Sequence, residues 1–174
     1  GLYVSTPLLR SAAFSELLGA PVWLKLDALQ PGGSFKSRGM ARLCAELRAG
    51  GATRVLSSSG GNAGLAASAA GAGLGMAGEV VVPETTKPLM VAKLEQLGAA
   101  VTVHGANWNA ADALVRERIA ASAPGACAYV HPYDEPRLWR GASTLVDELA
   151  ADWPDGRAPP AAIVASCGGG GLVC

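Results

Sequence analysis

The sequence predicts an α/β protein, a parallel sheet with helices on both faces. Three observations carry that expectation. Short apolar runs alternate with Ala-rich or amphipathic segments along most of the chain, the order that a parallel sheet imposes. Half of the 174 residues are hydrophobic and only 16% are charged, a composition that builds a core and does not fit disorder. The Gly- and Ser-rich stretches fall where predicted strands turn into predicted helices, the place where such sheets bind ligands.

The elements follow in order. Residues 22–26 (VWLKL) alternate and read as a strand. Residues 34–48 read as a helix, with Ser34 as N-cap and Gly50-Gly51 as its stop. Arg54–Ser57 is a short strand, and the Ala-rich residues 62–74 are helical. Residues 79–82 (EVVV) form a strand closed by Pro83. A helix over 87–97 ends at Gly98, and 100–103 is the next strand. Residues 107–121 are a helix, 128–130 a strand, and 136–149 a helix with Pro136 in its first turn. Residues 161–165 read as a last strand running into Gly168, Gly169, Gly170 and Gly171. Such a loop ordinarily launches a covering helix, whereas only Leu172, Val173 and Cys174 follow. The expectation is a chain truncated before its sheet is complete.

Composition narrows the function classes. Fourteen basic residues balance fourteen acidic ones, which argues against a nucleic-acid or anionic-membrane surface. No apolar run reaches the ~18 residues of a membrane span, and no basic region followed by an apolar run opens the sequence. Cys44, Cys127, Cys167 and Cys174 show no metal spacing, so they read as reduced and mostly buried thiols, and no metal is assigned. Trp23, Trp108, Trp139 and Trp153 read as packing anchors. His104 reads as a surface turn, and His131 as a mainly structural residue that could line a site. Arg38 and Arg42 read as solvated charges.

Three stretches could carry chemistry. In Pro31-Gly32-Gly33-Ser34-Phe35-Lys36 a lysine stands at a helix start. There the helix dipole disfavours the ammonium, and a neutral amine is what Schiff-base chemistry needs. In Ser57-Ser58-Ser59-Gly60-Gly61-Asn62-Ala63-Gly64 hydroxyls and glycines precede a helix whose free N–H groups make an anion pocket. Gly168, Gly169, Gly170 and Gly171 can form a nest of N–H groups around a phosphate. No Lys-Ser/Thr follows them, and the GxGxxG spacing of a dinucleotide site is absent. Taken singly, these stretches also read as a surface lysine, a capped turn and a flexible linker. Together they offer one amine and two anion sites.

The order of these motifs resembles the fold type II, tryptophan synthase β-like pyridoxal-phosphate enzymes. Within them the similarity is to the serine/threonine dehydratases, and most to serine dehydratase-like proteins. It rests on Gly33-Ser34-Phe35-Lys36-Ser37-Arg38-Gly39, Ser58-Ser59-Gly60-Gly61-Asn62-Ala63-Gly64 and the glycine tetrad. Pro83-Glu84-Thr85-Thr86 and Leu138-Trp139-Arg140-Gly141 support it.

The resemblance implies a three-layer α/β fold with an incomplete large domain. Residues 1–34 and 133–174 would belong to that large domain, and 35–132 would form a small one. Lys36 would hold pyridoxal 5'-phosphate as a Schiff base, Phe35 would lie against its ring, and Asn62 would bond the ring 3-hydroxyl. Ser59, Gly60, Gly61, Asn62 and Ala63 would hold the substrate carboxylate. Gly168, Gly169, Gly170 and Gly171 would cradle the cofactor phosphate. The partner of the ring nitrogen would fall beyond residue 174.

The implied reaction is β-elimination, converting L-serine to pyruvate and ammonia and L-threonine to 2-oxobutanoate, with Lys36 as the base. Racemase-like members carry Ser where this chain has Gly60, so racemisation is disfavoured. The resemblance also implies an amino-acid substrate, a homodimer in the full-length protein and a cytoplasmic location, with no nucleic-acid or membrane partner. Two alternatives stay open at this point: a truncated, non-catalytic product that binds a ligand or partner, and a nucleotide-binding domain using the glycine tetrad.

Overall fold

Val55 and Leu56 are neighbours on one strand, yet they enter different apolar clusters, and so do Val80 and Val81. Successive side chains of a strand point to opposite faces, so a run of buried residues needs helices on both sides. The computed structural model, which describes residues 1–174, has that layering. Strands β1 (Leu8–Ser11) and β2 (Val22–Lys25) flank helix α1 (Ala12–Leu18) and pair antiparallel as a small separate sheet. Then follow α2 (Lys36–Ala49), β3 (Arg54–Ser57), α3 (Asn62–Gly73), β4 (Ala77–Val82), α4 (Pro88–Gln96) and β5 (Ala99–Val103). After them come α5 (Trp108–Ala120), β6 (Cys127–Tyr129), α6 (Pro136–Ala142) and α7 (Thr144–Asp152).

The main sheet is parallel, in the order β5-β4-β3-β6. The chain therefore builds outward from β3 in one direction and then returns to its other side. Residues of α2 and α3 pack with Val55, and Leu94 of α4 packs with Val80 and Val82. Ala111 and Val115 of α5 pack with Leu56 and Val81 on the opposite face. The order reverses between β3 and β6, and a crevice opens there at the carboxyl ends of the strands.

Small residues let the layers close. Helix α3 buries Ala63, Gly64, Ala66, Ala67, Ser68, Ala70 and Gly71, and a Cβ on Gly71 would stand 2.8 Å from Val55 Cγ2. Helices α2 and α6 cross through two glycines. A Cβ on Gly39 would meet Leu138 O at 2.8 Å, and one on Gly141 would meet Arg38 O and Gly39 Cα at 2.6 Å. Gly141→Ala is expected to cost about 1–3 kcal/mol of stability through overpacking. Urea unfolding checks this, and an unchanged midpoint would rule out so close a crossing.

Several expectations need correction. The first strand and helix, β1 and α1, were not foreseen, and β2 pairs with β1 instead of joining the parallel sheet. The helix expected over 136–149 divides at Ser143. There Ser143 Oγ donates to Arg140 O (2.9 Å) and Thr144 Oγ1 to Gly141 O (2.8 Å), contacts that compete with the helical ladder. The strand expected over 161–165 is absent. Val164 is 97% exposed, and a strand without a neighbour leaves its backbone groups to water.

Ser34 does not cap α2. The helix begins at Lys36 after Phe35, and Ser34 Oγ is buried with no hydrogen-bond partner. Cys44 is buried and Cys127 partly so, but Cys167 and Cys174 are exposed. Trp23 packs on Trp153 (5.8 Å between rings), whereas Trp108 is exposed. No helix is long and apolar enough to cross a membrane.

Candidate active site

The crevice between β3 and β6 receives the loops that leave both strands, residues 58–61 and 130–135. Helix α2 delivers Lys36 to the second of them, where Nζ donates to Pro132 O at 2.9 Å. The ammonium also stands 5.1 Å from the centre of the Phe35 ring and faces no carboxylate. Phe35, Lys36, Pro132, Tyr133 and Gly171 line one cleft. Burial lowers the Lys36 pKa. The direction is the expected one, and desolvation supplies it.

The loop after β3 contributes no residue to the lining of this cleft, but α3, which it leads into, touches the turn before Lys36. A Cβ on Gly32 would meet Ala66 Cα at 2.8 Å, so the turn before Lys36 rests on the second turn of α3. No side chain caps α3, and its first N–H groups stay available to an anion. Ser59 Oγ accepts from Gly61 N (3.3 Å) and Ser57 Oγ from Ser59 N (3.4 Å). A Cβ on Gly60 would meet Thr86 Cγ2 at 2.8 Å, so Thr86 fills the space a side chain at position 60 would need. The loops after β3 and β4 thus touch.

Not every hydroxyl of the Ser run faces outward. Ser57 and Ser58 are buried, and Ser58 Oγ donates to Asp112 Oδ1 at 2.8 Å. Asp112 also accepts from Tyr129 OH and from Arg116 Nε (2.7 Å). Burial pushes the Asp112 carboxyl up, but the bonds from Tyr129, Arg116 and Ser58 outweigh it and hold the pKa below its usual value. Burial and the bond to Asp112 push the Tyr129 phenol up to about 12. This cluster is a foundation beneath the loop.

The glycine tetrad reaches the cleft only through Gly171. Gly169 lies flat on the Tyr133 ring, where a Cβ would come within 2.3 Å of Cγ, and Gly170 takes a left-handed φ of 82°. Gly171 sits beside Trp139, whose Nε1 donates to Tyr133 O at 2.8 Å.

The profile of the family described as Pyridoxal-phosphate dependent enzyme matches residues 1–174. The chain belongs to this family.

A human protein named Serine dehydratase-like is 42% identical over 98% of this chain and 50% of its own length. The mouse L-serine dehydratase/L-threonine deaminase is 42% identical over 99% of this chain and 51% of its own. The crystal structure of an L-serine ammonia-lyase from the fungus Rhizomucor miehei superposes with a TM-score of 0.87 at 34% identity, covering 99% of this chain and 53% of that one. The chain spans about half the length of these relatives. The three-layer α/β fold expected from the resemblance is the one present.

The residues of this family member fit its cofactor, which carries an aldehyde and a phosphate. A half-buried amine with a lowered pKa and no carboxylate partner suits the aldehyde. Side-chain-free backbone at Gly171, in the same cleft, suits a phosphate. The buried, unpaired Ser34 Oγ close by in sequence retains hydrogen-bonding capacity.

Pro132, Thr86, Asp112 and Tyr129 were not assigned to the site from sequence. Asp112 carries only an i,i+4 pairing signal with Arg116, and Pro132 acts through its carbonyl, which any residue has. Arg38 is the sharpest correction. Expected in solvent, it is 0% exposed and forks between Asp27 and Glu148.

Proposed function

We propose that the protein is a pyridoxal-phosphate-dependent lyase that converts L-serine to pyruvate and ammonia, the water lost on elimination being regained on hydrolysis, and L-threonine to 2-oxobutanoate and ammonia. One observation carries the reading: the Lys36 amine is half-buried at the switch point of the sheet, in the same cleft as Gly171. The names of the human, mouse and fungal relatives support the substrate class.

Lys36 would hold the cofactor through its amine, with Phe35 against the ring and Asn62 at the ring 3-hydroxyl. The N–H groups of Gly168, Gly169, Gly170 and Gly171 would hold the phosphate. Bound there, pyridoxal phosphate supplies an electron sink for the pair left behind by the substrate's α-proton. The chain's own part is positional and acid–base. The N–H groups of Gly60, Gly61, Asn62 and Ala63, with the Ser59 hydroxyl, would anchor the substrate carboxylate. Lys36, released when substrate takes its place, would remove the α-proton, and its lowered pKa keeps more of it neutral for that step. The chemistry supplied there would expel the β-hydroxyl as water and, after hydrolysis, release the keto acid and ammonia. Gly60 offers no group to the opposite face of the substrate, and Thr86 occupies the room for one, which supports elimination over racemisation. The reading extends to a homodimer in the cytoplasm, supported by the resemblance alone and measurable by sedimentation and by fractionation.

The test is capture of the cofactor. Incubation with pyridoxal phosphate should give a yellow protein, and borohydride should fix the added mass on the peptide containing Lys36. Lys36→Ala should abolish both. A colourless wild-type preparation with no trapped mass refutes the proposal. A second reading, a non-catalytic chain that binds a ligand or partner, is favoured by the exposed, unpaired residues 161–165. Cofactor capture without pyruvate release from serine would select it.

A further inference from the structure

The loop at residues 131–134 does two jobs in the site, and one side chain organises it. Its Pro132 carbonyl receives the Lys36 amine at 2.9 Å. Its Tyr133 ring supports Gly169, and its Tyr133 carbonyl accepts from Trp139 Nε1 at 2.8 Å and would stand 3.0 Å from a Cβ on Gly171. The loop has no helical or strand ladder of its own. Its two free amides turn back instead onto His131, whose Nδ1 accepts from Tyr133 N (3.2 Å) and Asp134 N (2.7 Å). Backbone N–H groups only donate, so Nδ1 serves this loop as an acceptor. The imidazole is held edge-on between two rings, Tyr129 at 5.9 Å and Tyr133 at 4.7 Å.

We propose that His131 is a positioning residue for the cofactor site: its Nδ1 acceptor folds the loop that holds the Lys36 amine on one side and seats the glycine run on the other. The inference rests on the proposed function and deepens it. The pattern of a side-chain acceptor taking the N–H groups two and three residues on is the one asparagine makes in a turn. Asparagine should therefore replace His131, whereas residues lacking the acceptor should not.

The experiment compares wild type with His131→Asn, His131→Ala and His131→Phe, the last keeping a ring without an acceptor. Pyridoxal phosphate is titrated into each, followed by borohydride trapping on the Lys36 peptide. Amide hydrogen exchange at Tyr133 and Asp134 is measured without cofactor. The Asn variant should capture cofactor within about twofold of wild type and keep both amides protected. The Ala and Phe variants should half-saturate at about tenfold more cofactor and exchange both amides faster.

Capture by Ala and Phe variants equal to wild type overturns the inference, and so does an Asn variant as weak as they are. If the Ala variant fails to fold, the Phe and Asn pair decides. A wild type that captures nothing on Lys36 overturns the proposed function, and this inference with it. That outcome is distinct from a wild type that captures and variants that match it.

Discussion

Replacing Arg38 by methionine is expected to lower the unfolding free energy by about 3–5 kcal/mol, the cost of leaving buried charges without their partner. Arg38 is fully buried. Its Nε and Nη2 donate to Asp27 (2.9 and 2.8 Å), and its Nη1 and Nη2 donate to Glu148 (2.6 and 2.8 Å). Thr6 Oγ1 and Thr144 Oγ1 complete the set at 3.2 Å each. Lys25 joins Glu148 from the other side at 2.8 Å. Three distant stretches are thereby clasped to the first turn of α2.

The clasp also aims Lys36. Residues two apart on a helix point about 200° away from each other, so holding Arg38 on the buried side turns Lys36 toward Pro132. Glu148 provides a pH signature. Hydrogen bonds from Arg38, working against burial, hold its pKa at about 2, against 4.5 for an ordinary glutamate. A carboxylate depressed on folding stabilises above its unfolded pKa. That stabilisation fades as pH falls from near 4.5 toward 2. Urea unfolding at pH 7 gives the size of the loss, and a series from pH 5 to 2 should show a flatter acid limb in the variant. A loss below about 1 kcal/mol at pH 7 would place Arg38 among ordinary surface charges.

Gly64→Ala is expected to cut pyruvate formation about a hundredfold, because a displacement of about 1 Å at a positioned group costs that much. A Cβ there would stand 1.9 Å from Ser59 O. The Cβ position is fixed by its own backbone and Ser59 O is itself backbone, so neither a rotamer change nor a small shift relieves the clash. The loop from Ser59 to Gly61 must move, and with it the N–H groups proposed to hold the carboxylate. Cofactor trapping on Lys36 should survive, since α2 does not change, while the serine KM rises. A variant with wild-type KM would mean that the carboxylate sits elsewhere.

The two substitutions differ in how far sequence reaches. Gly64 lies in a motif whose neighbours in space are neighbours in the chain. Local patterns of this kind also placed β3, the helix after the Ser-rich loop and Lys36 at a helix start, because strand alternation, helix periodicity and turn chemistry act over a few residues. Arg38 read as solvated because a charge in a helix usually is. Its carboxylate partners lie 11 and 110 residues away, and nothing within a window of the chain announces them. The Ser58–Asp112 bond spans 54 residues and was hidden for the same reason. The expected strand at 161–165 failed in the converse way: the apolar run is there, but a strand exists only where another offers its edge.

The amino-acid sequence on its own determined the alternation of elements, a lysine at a helix start at position 36 and two glycine-rich turns, since each is a property of contiguous residues. Tertiary structure decided what those parts face. It brought Pro132 to the Lys36 amine, set Asp112 beneath the Ser loop, laid Gly169 on Tyr133 and buried Arg38 between two carboxylates. Each of these depends on which strands pair and which helices cross, and such long-range contacts form only when the closure of the whole chain outweighs the entropy of bringing distant segments together.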